Sequence, residues 1–214
     1  MQIAMSPEEL LPDLKLRWLG EPANARLGES SVAITAGATT DWFIDPSRAA
    51  APVLNAPALV GSPSGDFLLS SRVAVEFAST FDAGALVLYG DQRVWAKLCF
   101  ELSPARAPMV VSVVTRDLSD DCNSAVVDAD HVWLRVSRIG AAFAFHSSSD
   151  GATWNLVRHF AASSDRRAAR RLRGSVTPRR GLHGVVHRGR LRHAEIAGPP
   201  QRRVIPGSMM RAGC

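Results

Sequence analysis

A two-residue alternation of apolar and polar positions dominates this chain. It is clearest along Arg93-Val-Trp-Ala-Lys-Leu-Cys-Phe-Glu101. Val94, Ala96, Leu98 and Phe100 fall on one side of an extended segment, and Arg93, Trp95, Lys97, Cys99 and Glu101 on the other. A period of two marks a β-strand with one buried face. Comparable patterns predict strands over residues 14–18, 32–35, 67–77, 85–89, 109–116, 131–138, 141–146 and 154–160. Turn signals divide them, among them Gly90-Asp91-Gln92 and Asp150-Gly151. Residues 47–65, rich in Ala, Pro, Ser and Gly, read as a long loop, and Asp117–Asp130 reads as a polar one. Ser6-Pro7-Glu8-Glu9 has the form of a helix start, with Ser6 as cap, cut short at Pro12. About nine or ten strands with tight turns and no helical period predict an all-β fold, a two-sheet antiparallel jelly-roll sandwich. A barrel is the alternative. The expected organisation is an irregular N-terminal extension over 1–13, a β-sandwich domain over 14–162, and an Arg-rich tail over 163–214.

Composition adds limits rather than identity. Apolar content of 46% with 21% charged residues is ordinary for a globular domain. No apolar run approaches the ~18 residues of a membrane helix, and residues 1–10 lack the basic and apolar regions of a secretory signal. Cys99, Cys122 and Cys214 are too few and scattered for a disulfide framework, so a cytoplasmic setting is expected. Charge is split sharply. Residues 1–162 hold 12 Lys/Arg against 18 Asp/Glu, a net of −6, whereas residues 163–214 hold 13 Arg against 2 acids, a net of +11.

Several segments together resemble a known family. They are Thr40-Asp-Trp-Phe43, Phe81-Asp-Ala-Gly-Ala-Leu86, Trp95-Ala-Lys-Leu-Cys-Phe-Glu101, Ser112-Val-Val-Thr-Arg116, Ser119-Asp-Asp-Cys-Asn-Ser124, Trp133-Leu-Arg-Val-Ser-Arg138 and Phe143-Ala-Phe-His146. The chain resembles a bacterial domain-of-unknown-function family with the concanavalin-A-like lectin/glucanase fold, related to the yeast regulation-of-enolase protein. The likeness covers about residues 16–160. Trp18-Leu-Gly-Glu-Pro22 is similar to that family's opening Trp-x-Asn-x-Pro, without the Asn. The resemblance implies a two-sheet jelly roll and no particular reaction.

The chain departs from the family after Phe160, where two further strands are expected. Residues 161–214 contain no Phe, Trp, Tyr or Lys, and Arg recurs throughout. That composition reads as G+C-rich coding sequence translated in a shifted frame. A shift of one nucleotide across Asp165–His193 permits an apolar strand, a Ser-Pro-containing loop and a closing aromatic strand. The alternative is an authentic disordered Arg-rich tail. Such a tail is expected to adhere nonspecifically to nucleic acid in a salt-dependent way, without aromatic partners for base selectivity.

The site expected from sequence combines Trp95, Lys97 and Glu101 on one strand with Trp133 and Arg135 on another, joined by His146. Sugars stack on aromatic rings while charged groups bond their hydroxyls, so this mixture suits a carbohydrate or a small polar ligand. The competing explanation makes Trp95 and Trp133 core residues with solvated charges beside them. Asp120, Asp121 and Asn123 supply oxygen ligands in the form calcium uses, but a self-capping polar turn has the same composition. Glucanases of the resembled fold carry Glu-x-Asp-x-x-Glu, which is absent here, leaving only Glu76 and Glu101 from separate strands. Ser148-Ser-Asp-Gly-Ala-Thr-Trp154 resembles a sialidase Asp-box one residue short, a hairpin device rather than a catalytic one. His183 and His187 have zinc-helix spacing without the accompanying Glu. The sequence thus predicts a non-catalytic recognition module that needs no cofactor. A protein-binding regulator of metabolism and a glycoside hydrolase-like enzyme are the alternatives. The expected partners are a carbohydrate or small polar ligand, or a protein, and no membrane.

Overall fold

Alternation in the sequence becomes two antiparallel sheets stacked on their apolar faces. The structure is a computed structural model that describes residues 5–11, 14–28 and 30–161, and the backbone of two strands at 173–179 and 183–192. A short helix, α1 (Pro7–Leu10), precedes β1 (Arg17–Leu19), β2 (Asn24–Gly28), β3 (Ser31–Thr35), β4 (Trp42–Phe43), β5 (Val53–Leu54) and β6 (Ala58–Gly61). The long strands follow: β7 (Phe67–Val75), β8 (Ala83–Tyr89), β9 (Val94–Leu102), β10 (Pro108–Arg116), β11 (Leu118–Val126), β12 (His131–Ile139), β13 (Ala142–Ser148) and β14 (Asn155–Ala161). β15 (Arg173–Arg179) and β16 (His183–Arg192) complete the order. The first sheet runs β1-β6-β15-β8-β9-β10-β11 and the second β14-β13-β12-β7-β16-β3-β2, with β4 and β5 paired separately. The fold is therefore the sandwich and not the barrel.

The main core lies between the sheets. Leu86, Leu88, Ala96, Leu98, Phe100, Val110 and Val114 of the first sheet meet Phe67, Leu69, Val73, Leu134, Val136, Phe143 and Phe145 of the second. The alternating set Ala96, Leu98 and Phe100 thus faces inward as the pattern requires. The sheets approach so closely at Gly84 that a Cβ there would sit 2.6 Å from Val73 Cγ1, which excludes any larger residue.

The first sheet is buried on its outer side as well. Ala83, Ala85, Val87, Trp95, Cys99, Val111 and Val113 form a second apolar layer beneath Trp42 and Ala56, with Ile44 and Leu54 packed against it. Residues 41–57 act as a cover. Asp41 O accepts from Asn55 N at 2.9 Å, and Ser119 N donates to Ile44 O at 2.9 Å. Three layers result: second sheet, first sheet, cover.

Four segments differ from the expectation. The loop expected at 47–65 contains β5 and β6. β6 is buried at all four positions, so it has no polar face to create an alternation. β2 pairs with β3. The polar segment 117–130 is largely β11, an edge strand paired with β10. Both of its faces meet solvent over most of its length, so a period-two signal cannot arise. Finally, the sandwich extends past residue 162. β15 pairs with β6 and β8, and β16 with β7 and β3, so each fills a one-strand gap inside a sheet. The expectations for the rest of the tail, and for Cys214, lie outside the described residues.

Candidate ligand-binding face

The six residues expected to form one site are divided between opposite sides of the sandwich. Trp95, Lys97 and Glu101 point outward from β9 into the layer beneath the cover. They are buried, with exposures of 0%, 3% and 4%. Trp42 packs edge-on to Trp95 with ring centroids 5.9 Å apart and lies 5.3 Å from Tyr89. Its Nε1–H donates to Ala56 O at 2.9 Å, which fastens the cover on itself. Lys97 Nζ donates to Asp41 Oδ1 at 3.1 Å and to Trp42 O at 2.6 Å, and sits 5.8 Å from the Trp95 ring. Its ammonium is thus spent on the cover, and a ligand has no access to it. The chemistry that suits a sugar here holds a strap of chain instead. Reading Trp95 as a core residue therefore describes β9 better than reading it as a binding surface.

A cavity of about 520 Å³ opens at the edge of this cover, between Asp45, Arg48, Pro52, Arg93 and Asp117. Asp45, Arg93 and Asp117 are already engaged. The Asp45 carboxylate accepts from the Ser47 hydroxyl and amide and from the amides of Ala49 and Ala50, and these bonds, led by the hydroxyl, hold it below the ordinary range. Arg93 is paired with Asp117.

Trp133, Arg135 and His146 come together on the outer face of the second sheet. Arg135 on β12 stands directly opposite His146 on β13 and opposite Ser70 on β7. One step along, Trp133 is opposite Ser148 and Arg72. All three site residues are half-buried. The Arg135 guanidinium carbon lies 4.0 Å from the centre of the Trp154 ring, a stacked cation–π contact that fixes the guanidinium plane. Two buried nitrogens on this face, Arg135 Nε and His146 Nδ1, have no hydrogen-bond partner among the described residues. Burial, and then the neighbouring Arg135 charge, pull the His146 imidazole down to about 4, so it is neutral at pH 7. Burial also lowers Arg135, but a guanidinium remains charged.

Trp154 owes its position to the turn before it. Asp150 Oδ1 accepts from the amides of Ala152 and Thr153, each at 2.8 Å, and from the Ser148 hydroxyl at 2.8 Å. These bonds, led by the two amides, hold the carboxylate well below its usual range. Gly151 donates to Ser148 Oγ at 2.9 Å with φ of +72°. A Cβ on Gly151 would be 2.9 Å from the Trp133 ring, so this glycine meets both a conformational and a steric demand. The Asp-box-like segment is a hairpin device, as expected, and it closes one end of the aromatic face. Trp154 and Arg72 were not among the site residues expected from sequence. The signals were there: Trp154 follows the self-capped turn, and Arg72 occupies an outward step of the β7 alternation.

The other candidates do not assemble. Asp120, Asp121 and Asn123 lie on β11, where successive side chains point to opposite faces. Asp120 is engaged by Arg158, at 2.8 Å. Among the described residues no group of three His, Cys, Asp or Glu side chains is placed to hold a metal ion. Glu101 is buried under the cover and Glu76 is exposed just beyond β7. The side chains of His183 and His187 lie outside the described residues.

The model of the family described as "Protein of unknown function (DUF1349)" matches residues 18–171. No curated protein matches the chain. Among solved structures, a functionally unknown protein from Saccharomyces cerevisiae is similar over 83% of this chain and 95% of its own, with 24% identity and a TM-score of 0.72. The GH43 protein BlXynB from Bacillus licheniformis is 14% identical over 80% of this chain, with a TM-score of 0.61. A xylan β-1,4-xylosidase from Bacillus halodurans C-125 is 11% identical over 81% of this chain, with a TM-score of 0.63. This chain spans only 35% of the length of each of those two, so the likeness is one of fold.

Proposed function

The chain belongs to the DUF1349 family, whose function is unknown, and on that footing we propose that it is a non-catalytic recognition module. Its ligand, a carbohydrate or a small polar molecule, lies across Trp133, Arg135, His146 and Trp154 on the outer face of the second sheet. The observation that carries this proposal is the half-buried Arg135 guanidinium, 4.0 Å from the Trp154 ring, beside Trp133 and without a counter-ion among the described residues. A partly buried charge without a counter-ion is costly, and a ligand acceptor that reaches the guanidinium offsets part of that cost. Half-buried indole rings supply the flat apolar surface on which a sugar stacks. The cytoplasmic setting belongs to the same proposal. The structure itself adds that no helix among the described residues is long and apolar enough to cross a membrane.

The hydrolase alternative needs two carboxylates ~5–9 Å apart across the bond to be broken. The strands of this face present none, so no observation favours it. The protein-binding alternative rests on the family resemblance alone.

The test is a glycan array followed by titration calorimetry, comparing the chain with Trp154→Ala. Loss of the ring removes one stacking surface and the support of Arg135, and we expect at least tenfold weaker binding with the thermal midpoint little changed. Unaltered affinity in that variant would remove this face from consideration.

A further inference from the structure

We infer that the ligand of this face is an acidic sugar, with its carboxylate held by Arg135 and its ring laid on Trp133. The inference rests on the recognition proposal and narrows it to one chemical class. Three strands, β7, β12 and β13, supply the centre of the face. Their outward positions contain Arg72, His131, Arg135 and His146 and no Asp or Glu. Of the acids bordering the face, Glu76 and Asp128 are exposed beyond the strand ends, and the others are engaged. Asp150 is bound by the amides and hydroxyl of its own turn, Asp130 is paired with His131, and Asp120 with Arg158. Arg72 faces Asp130 across the rim, and their attraction helps to lower that carboxyl, after the larger effects of His131. Arg135 has no such partner among the described residues.

A half-buried cation without a counter-ion is costly unless something supplies the negative charge. Stacking on Trp154 occupies a flat face of the Arg135 guanidinium, and Nε is buried, whereas the edge formed by the two Nη groups makes no hydrogen bond among the described residues. That edge is a fixed fork of N–H donors that matches a carboxylate in two places. Neutral His146, its direct cross-strand neighbour, can then serve a hydroxyl as donor or acceptor. Trp133, one step along β12, offers the apolar surface. A carboxylate, a hydroxyl and a stacking face in that order describe a uronic acid residue. A neutral sugar leaves the Arg135 charge unanswered, and a free phosphate leaves the rings unused.

The experiment is titration calorimetry of the full 214-residue chain with a galacturonic acid trisaccharide, a neutral galactose trisaccharide and inorganic phosphate, at two salt concentrations. We expect the uronate to bind at least tenfold more tightly than the neutral sugar. Arg135→Gln should abolish that preference, and Arg135→Lys, which keeps the charge but not the fork, should weaken uronate binding at least fivefold. Should Arg135→Gln fail to fold, the lysine variant carries the test. Equal binding of both sugars would overturn the acidic-sugar inference and leave the recognition proposal standing. Absence of binding by either sugar would overturn both. Phosphate as tight as the uronate would identify a general anion site and refute the sugar assignment. Uronate binding that persists unchanged in both Arg135 variants would trace it to the arginines of residues 163–214 and refute the inference.

Discussion

His146 illustrates how a single side chain ties stability to the ligand face. Its imidazole is held neutral by burial and by Arg135, with its pKa brought from the ordinary 6.5 to about 4. Between those two values the unfolded chain binds the proton and the folded chain does not, so stability falls as pH is lowered through that window and levels off below it. The full shift corresponds to about 3 kcal/mol. Discounted for solvent access to a half-buried ring, it amounts to about 1–2 kcal/mol. Thermal melts at pH 7 and pH 4.5 should show a lower midpoint at the acid pH, with a smaller difference in His146→Gln. An identical acid loss in that variant would assign the effect to other groups.

Among the elements, the cover over β9 has the clearest energetic signature. Lys97 is 4% exposed at its side chain and depends on Asp41, at 14%, for its counter-charge. Removing one member of a buried pair leaves the other uncompensated, at a cost of about 3–5 kcal/mol. Because Lys97 keeps its bond to Trp42 O, Asp41→Ala should lose about 2–3 kcal/mol in denaturant melts, and Asp41→Asn less. A loss under 0.5 kcal/mol would mean that the cover does not depend on this contact. The same element marks the limit of what sequence could tell. The β9 alternation was legible, and so was the fact that Trp95 and Lys97 share a face. What covers that face comes from a segment some fifty residues earlier, whose Ala, Pro and Ser content has no periodicity. The split between Trp95 and Trp133 was hidden for a related reason, since alternation within a strand does not say which sheet the strand joins. Arg135 and His146 were legible as outward residues of neighbouring strands because the tight turn at Gly140 makes β12 and β13 a hairpin. The β11 edge strand was hidden because solvent on both sides erases the pattern.

At the scale of the whole molecule, composition and topology pull against each other. β15 and β16 occupy interior positions, β15 between β6 and β8 and β16 between β7 and β3. Interior strands are ordinarily rich in apolar and β-branched residues, yet these segments read Arg-Gly-Ser-Val-Thr-Pro-Arg and His-Gly-Val-Val-His-Arg-Gly-Arg-Leu-Arg. The family match ends at residue 171, just before them. The shifted reading frame proposed from the sequence would explain arginine-rich sequence at positions where the fold calls for apolar strands. A chain with that frame restored should melt at least several degrees higher and aggregate less. Equal midpoints for the two chains would count against the frame explanation. Sequencing the DNA across codons 155–200 gives the direct answer.

The interior placement of β16 also bears on synthesis at the ribosome. β3 is complete by residue 35, but the strand that joins it to the rest of its sheet is made some 150 residues later. At roughly 5–20 residues per second, that is an interval of about 8–30 s. Throughout it the β2–β3 hairpin, and the flank of β7 that β16 later covers, stand open to any passing strand. A nascent chain of this topology depends on β15 and β16 to seal both sheets, and shielding by chaperones during those seconds bears directly on its yield.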